Sequence, residues 1–311
     1  MKVGRVDFAG KVSVAVEKGG GWVPLDDLGL SEYEQDLLAL LRDWESVKGR
    51  VEETLKDARP RNGKPLIPFR PLSFRDFMLW ERHYVQAKLG LIRTFRPALY
   101  PLFKLPFMRR SLKPPRMFYE RPVYYVGNHL QMYTDGDVVP YPSYTRYLDY
   151  EFELGLVIVK GGRNPSPEEA EGMVGGVVIL NDFTARDMQV KEFYESPFGP
   201  VVKAKNFATS ISSFVIPVSE ILPRFTDLRV RVYINGELVS ESTTANPQHL
   251  PRDMVAYAGL EENLYPGELL GTGTVPDSCG VEIGRFLKEG DEITLELVGF
   301  GSLTNRIGRE G

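Results

Sequence analysis

The chain has 311 residues, 42% hydrophobic and 26% charged, which suits one large or two unequal folded domains and excludes a disordered polyelectrolyte. Its 38 basic residues nearly match its 42 acidic ones, so a net charge of −4 offers no field to recruit nucleic acid or an anionic membrane. The single cysteine, Cys279, excludes an intrachain disulfide and a cysteine-rich zinc centre.

Met1-Lys2-Val3-Gly4-Arg5 already alternates, so no signal peptide is expected. Residues 3–27 continue the alternation around Gly10 and the Gly19-Gly20-Gly21 turn, a hairpin signature. Leu38, Leu40, Leu41, Val47, Val51 and Leu55 fall at helical spacings and predict a helix over 33–55. Residues 1–58 thus read as a small β-rich domain with a helix, and Pro60, Pro65, Pro68 and Pro71 mark a linker over 59–70. Residues 71–311 read mainly as strands and turns. The basic stretch 104–113, interrupted by Pro106 and followed by Pro114 and Pro115, reads as a loop or entrance rim.

Residues 152–159 form a strand rich in Leu, Val and Ile, ended by Gly161-Gly162. Ser166, three residues before Glu169, predicts a capping box and a short helix. A second buried strand over 173–180, far too short to span a membrane, leads into the polar stretch 181–189. Residues 228–234 and 237–239 flank Asn235-Gly236 as a tight hairpin, and 293–298 is a late strand after the Gly290-Asp291 turn. Many strands and few long helices predict a mainly β fold with some α, in a soluble cytoplasmic protein.

The segment Leu148-Asp149-Tyr150-Glu151-Phe152-Glu153-Leu154 carries the chemistry. Residues i and i+2 of a strand face the same side, so Glu151 and Glu153 present two carboxylates where an apolar strand begins. Two such anions repel and lose hydration unless a cation balances them. Solvated surface is the plain alternative. The chemical one is a divalent ion that takes oxygen ligands, magnesium, calcium or manganese. Asp182, directly after the second buried strand, is a third candidate ligand. Among the histidines His83, His129 and His249, His83 follows Asp76 by seven residues, about two helical turns, so the two could share a helix face. A histidine beside a metal-bound water suits general-base work at neutral pH.

Four segments then resemble the fumarylacetoacetate hydrolase family: Asp76-Phe77 through Arg82-His83, 148–153, 181–189 and 204–209, with Gly271-Thr272-Gly273 and 290–305 in support. The resemblance runs best over about residues 71–308. It implies a mixed β-sandwich roll behind a smaller β-rich domain, usually in a homodimer. It implies magnesium or a similar ion on Glu151, Glu153 and Asp182, with Asp76 a candidate fourth ligand, and His83 as the base that activates water. Arg186, Gln189 and Lys205 match donors to a substrate carbonyl or leaving enolate. Tyr125 matches a substrate-contacting tyrosine, Thr272 a threonine near the substrate carboxylate, and Glu282 the acid that orients His83. Phe193 stands where animal-type members carry a second substrate-binding tyrosine, and the amino-terminal part is much shorter than theirs. These departures weaken fumarylacetoacetate itself as the substrate.

The expected function is hydrolysis of a carbon–carbon bond in a 1,3-dicarbonyl acid of fumarylacetoacetate or acylpyruvate type. Relatives with the same acids decarboxylate, tautomerise or dehydrate 2-oxo acids, and that is the alternative. A noncatalytic metal-binding module is the competing class. Without the resemblance, Arg186 reads as an ion pair with Asp187 or another acid and Lys205 as a surface amine. Trp80, Phe193, Tyr194 and Phe198 are candidates for an apolar substrate wall, Met132 and Met173 serve packing, and Cys279 near Glu282 is a buried thiol.

Overall fold

The structure, a computed structural model, describes residues 1–308. Val3–Phe8, Lys11–Lys18 and Gly21–Pro24 form an antiparallel meander whose turn residues Gly10, Gly19 and Gly20 all have positive φ. Lys64–Pro65, inside the proline-rich stretch, pairs with Val3–Phe8 as the fourth strand of this sheet. The helix expected over 33–55 is divided into Leu37–Arg42 and Trp44–Asp57. Asp43 separates them with φ −98° and ψ 8°, and its carboxylate accepts from Arg42 Nε and Tyr33 Oη. Competing side-chain bonds of this kind favour helix ends over helix interiors. The second helix is closed by Lys18, whose Nζ donates to the carbonyls of Leu55, Lys56 and Ala58.

The rest of the chain is built on two sheets. The larger runs Tyr124–Gly127, Phe74–Phe77, Leu269–Gly271, Phe152–Ile158, Val174–Asp182, Thr209–Ile211, Met132–Tyr133, with Ile216–Pro217 also paired to Val174–Asp182. The smaller runs Glu237–Thr243, Arg229–Ile234, Glu292–Leu297, Gly301–Gly308, Val138–Pro140. At its hairpin Asn235 and Gly236 both have positive φ, as a type I′ turn requires. Ser166 and Glu169 make a reciprocal capping box at the start of Pro167–Glu171. A 15-residue helix, Glu81–Phe95, exceeds what a strand-and-turn reading anticipates.

The faces of the large sheet place the site. Leu154, Leu156, Val177, Ile179 and Leu270 pack toward the small sheet's Val230, Val232, Leu295 and Leu303, giving the sandwich core. On the opposite face Phe74, Val157, Val178, Leu180 and Leu269 pack under Leu37, Leu40, Leu41 and Trp44 of the amino-terminal helices. That covering extends over only part of the face. Beyond it the same strands turn acidic.

The fold is therefore a curled, half-barrel β architecture with helices and a small amino-terminal β-rich subdomain. No helix among the described residues is long and apolar enough to cross a membrane.

Candidate active site

Sheet register brings the acids together. Asp76 pairs with Gly271 in a parallel ladder, Gly271 pairs with Gly155, and Glu153 lies two residues before Gly155 on the same face. Glu153 lies opposite Leu180, and Asp182 follows on that face. Carboxylate oxygens of Asp76, Glu153 and Asp182 come within 4.8 Å of one another, all three residues being buried. Asp76 and His83 do not share a helix face. Asp76 lies in the strand Phe74–Phe77, residues 78–80 are irregular, and His83 lies in the first turn of Glu81–Phe95.

Glycine at 271 is required here: a Cβ would stand 2.5 Å from Asp76 Oδ1 and 3.0 Å from Glu153 Oε2. Gly273 (φ 76°) lets its N–H donate to Glu153 Oε2 at 3.0 Å. Asp76 Oδ1 and Glu153 Oε1 are buried with no hydrogen-bond partner among the described residues. Burial, with the charge of Asp182 nearby, pushes Asp76 well above the usual carboxylate range. Burial and the adjacent Asp76 do the same to Glu153. Converging buried oxygens with unmade bonds, and no nitrogen or sulfur among them, fit a hard divalent cation.

Glu151 faces different company. It is bracketed by Arg186 Nη2 at 2.5 Å and by the Lys205 ammonium, which also donates to Asp182 Oδ2 at 2.6 Å. Burial would lift Glu151, yet Lys205 and Arg186 outweigh it and hold the carboxylate below its ordinary range. Lys205 is only 7% exposed, so the surface-amine reading fails. Burial opposes its charge, but Asp182 and Glu151 keep it firmly protonated. Arg186 pairs with Asp149 and Glu151 rather than Asp187, and its Nη1 donates to Gln189 Oε1 at 2.8 Å. Asp187 instead accepts from Thr145 Oγ1 and the Arg146 N–H.

His83 Nδ1 lies 3.2 Å from Glu282 Oε1, and Nε2 is 4.0 Å from Glu151 Oε1. Against an ionised Glu282, which can only accept, a neutral imidazole would hold its proton on Nδ1 and present the lone pair of Nε2. Tight packing fixes this pair. A Cβ at Gly90 would stand 2.0 Å from the Val281 carbonyl oxygen, and Arg93 Nη2 donates to the carbonyls of Val281 and Glu282. Tyr125 Oη donates to Asp182 Oδ2 at 2.7 Å. Thr272 is fully buried, its hydroxyl accepting from Leu154 N–H and donating to the Gly273 carbonyl.

The four aromatics considered for a substrate wall divide. Trp80 is core, its Nε1 donating to the carbonyls of Thr244 and Ala245, while Phe193, Tyr194 and Phe198 are 62%, 73% and 81% exposed. Helix Arg186–Glu195 packs through Arg186 and Glu192, and its aromatics near the carboxyl end face outward. Met132 and Met173 are buried in the two cores.

Sequence reasoning missed Asp149. It is fully buried and accepts from Arg186 Nε (2.6 Å), Gly280 N–H (2.6 Å) and Val281 N–H (2.9 Å), tying the guanidinium to the turn that carries Glu282. The available signal was an acid at i−2 from Glu151, on the same side of the same segment.

Residues 108–308 match the family described as fumarylacetoacetate (FAA) hydrolase, C-terminal. The chain is 31% identical over 197 residues to the homoprotocatechuate catabolism bifunctional isomerase/decarboxylase of Escherichia coli, covering 63% of this chain and 42% of that protein. It is 32% identical over 206 residues to the oxaloacetate tautomerase YisK of Bacillus subtilis, covering 62% and 61%. A solved fumarylacetoacetate hydrolase from Exiguobacterium antarcticum superposes over the whole of both chains with a TM-score of 0.70 at 22% identity, a likeness of fold. The chain belongs to the fumarylacetoacetate hydrolase family. Asp76 and His83 lie outside the matched residues and join the site through the fold.

Proposed function

We propose that this protein is a metal-dependent enzyme that carries a small 2-oxo acid through its enolate, isomerising or decarboxylating it. The observation that carries this reading is the buried Asp76–Glu153–Asp182 triad standing beside a protonated Lys205 and an oriented His83. The triad would hold the ion, its all-oxygen donor set suiting magnesium, calcium or manganese, with Glu151 adjoining through Lys205. Once bound, such an ion supplies Lewis-acid polarisation of neighbouring substrate oxygens.

The chain's own groups do the rest. Lys205 offers positive charge where an enolate oxygen gains negative charge, and Arg186, held by Asp149 and Gln189, stiffens that wall. His83 Nε2 takes or returns a proton while Glu282 keeps the imidazole in one tautomer. The activities named for the two relatives above support isomerisation or decarboxylation over the cleavage expected from the sequence. A second reading, hydrolysis of a 1,3-dicarbonyl acid, is favoured by the His83–Glu282 pair alone, because an oriented imidazole is also what withdraws a proton from water. A homodimer is part of the proposal, checked by sedimentation.

Product analysis with magnesium tests both readings. Oxaloacetate, an acylpyruvate and fumarylacetoacetate are supplied in parallel to the wild type and His83→Asn. Enol–keto exchange or carbon dioxide release from the 2-oxo acid is the expected result. Two acid fragments from the 1,3-dicarbonyl acids, with neither of those activities, would establish hydrolysis instead.

A further inference from the structure

Cys279 has no place in the chemistry above, yet its surroundings are specific. The residue is fully buried and forms an isolated bridge with Glu151. One atom each of His83 (a ring nitrogen), Cys279 (Sγ) and Glu282 (a carboxylate oxygen) lie within 4.8 Å of one another. The Glu282 side chain is 2% exposed, and its Oε2 is buried with no hydrogen-bond partner among the described residues, while Oε1 serves His83. This second cluster therefore has its own unmade bond, separate from those of the acid triad.

The two clusters differ in donor type. Oxygen alone at Asp76, Glu153 and Asp182 suits magnesium, calcium or manganese. Nitrogen, sulfur and oxygen together suit zinc or another thiophilic ion, which accepts three protein ligands and completes its shell with water. Ligand bonds of about 2.0–2.3 Å require the three groups to draw together from their present spacing.

We propose that His83, Cys279 and Glu282 form a second cation site, selective for a thiophilic divalent ion, that switches the enzyme off by engaging its base. Binding forms metal–nitrogen, metal–sulfur and metal–oxygen bonds and breaks the His83–Glu282 hydrogen bond. The thiol proton leaves to solvent, the imidazole keeps its one proton on the ring nitrogen that does not bind the ion, and no group is oxidised or reduced. Inhibition rests on the role assigned to His83 in the proposed function, whereas ion binding does not.

The test separates the two. Wild-type protein is saturated with magnesium to fill the oxygen site, then titrated with cadmium and read by thiolate-to-cadmium charge-transfer absorption. Zinc stoichiometry is measured by equilibrium dialysis under the same conditions. One thiolate-ligated cadmium per chain is expected, absent in Cys279→Ala and Cys279→Ser, with circular dichroism reporting that both variants are folded. Zinc affinity at this site should fall about tenfold or more in either variant, and in Glu282→Gln. No charge-transfer band in the folded wild type, or a band that survives in Cys279→Ala, overturns the site whatever the enzyme's activity. Where a turnover assay exists, zinc inhibition should weaken by about the same factor in Cys279→Ala. Binding with no inhibition overturns the switch and leaves the site standing.

Discussion

Glu151 and Glu153 are two residues apart on one segment, both buried, and the structure drives them in opposite directions. Glu151 meets Arg186 and Lys205, and their charge more than offsets the penalty of burial. Glu153 meets Asp76, Asp182 and one backbone N–H, and is left with an oxygen that bonds to nothing among the described residues. The first arrangement is complete within the chain. The second leaves buried oxygens of Asp76 and Glu153 without a partner among the described residues. A buried charge with its partners in place is weak evidence for a ligand, whereas converging buried acids without partners are strong.

The comparison is broken most severely at Glu153. Glu153→Gln keeps the shape and removes the charge, so magnesium affinity should fall beyond the roughly 10–100-fold typical of losing an outer-shell partner. Calorimetric titration measures it, and affinity within a few-fold of wild type would place the ion elsewhere. Lys205→Met attacks the other half. Stranding Glu151 and Asp182 without the ammonium should cost about 3–5 kcal/mol of stability, read from urea denaturation. Activity should fall by roughly 10²–10³-fold as the enolate loses its cation.

A pH series sharpens the contrast. Asp76 and Glu153 bind protons more tightly folded than unfolded, so in the metal-free protein their contribution to stability is fully present only below the ordinary carboxylate range. That contribution should then decline as pH rises from about 4 toward their raised values. Glu151, held low, contributes the reverse sign: its stabilisation is present above the ordinary range and is lost as pH falls through its depressed value. With chelator present, the wild-type melting temperature should fall with pH more steeply than that of Glu153→Gln, and magnesium should remove the difference. Parallel curves would mean that Glu153 carries no excess proton. The smallest effect lies far from both halves. Ser166→Ala deletes one bond of the capping box and should cost about 1 kcal/mol while turnover stays unchanged.

Local features were legible because their causes are local. Asn235-Gly236 needs positive φ at both positions, Ser166 and Glu169 cap within one turn, and two buried strands announce themselves by unbroken apolar runs. The acids were legible as types in suspicious positions. The helix break at Asp43 was not, since it depends on Tyr33 and Arg42 converging on one carboxylate. Nor was the outward aspect of Phe193 and Tyr194, because hydrophobicity alone does not say which side of a short helix meets the core.

By itself the sequence determined the family, the mainly β character, and the acids and the histidine to which the chemistry is assigned in the proposed function. Which acid would be paired and which left open was decided only by tertiary structure. The parallel pairing of Asp76 with Gly271 crosses nearly two hundred residues, and the burial of Lys205 between Glu151 and Asp182 joins three separate segments. Proton affinity and ligand capacity follow from distances and desolvation, and both come into being only when the strands close on one another.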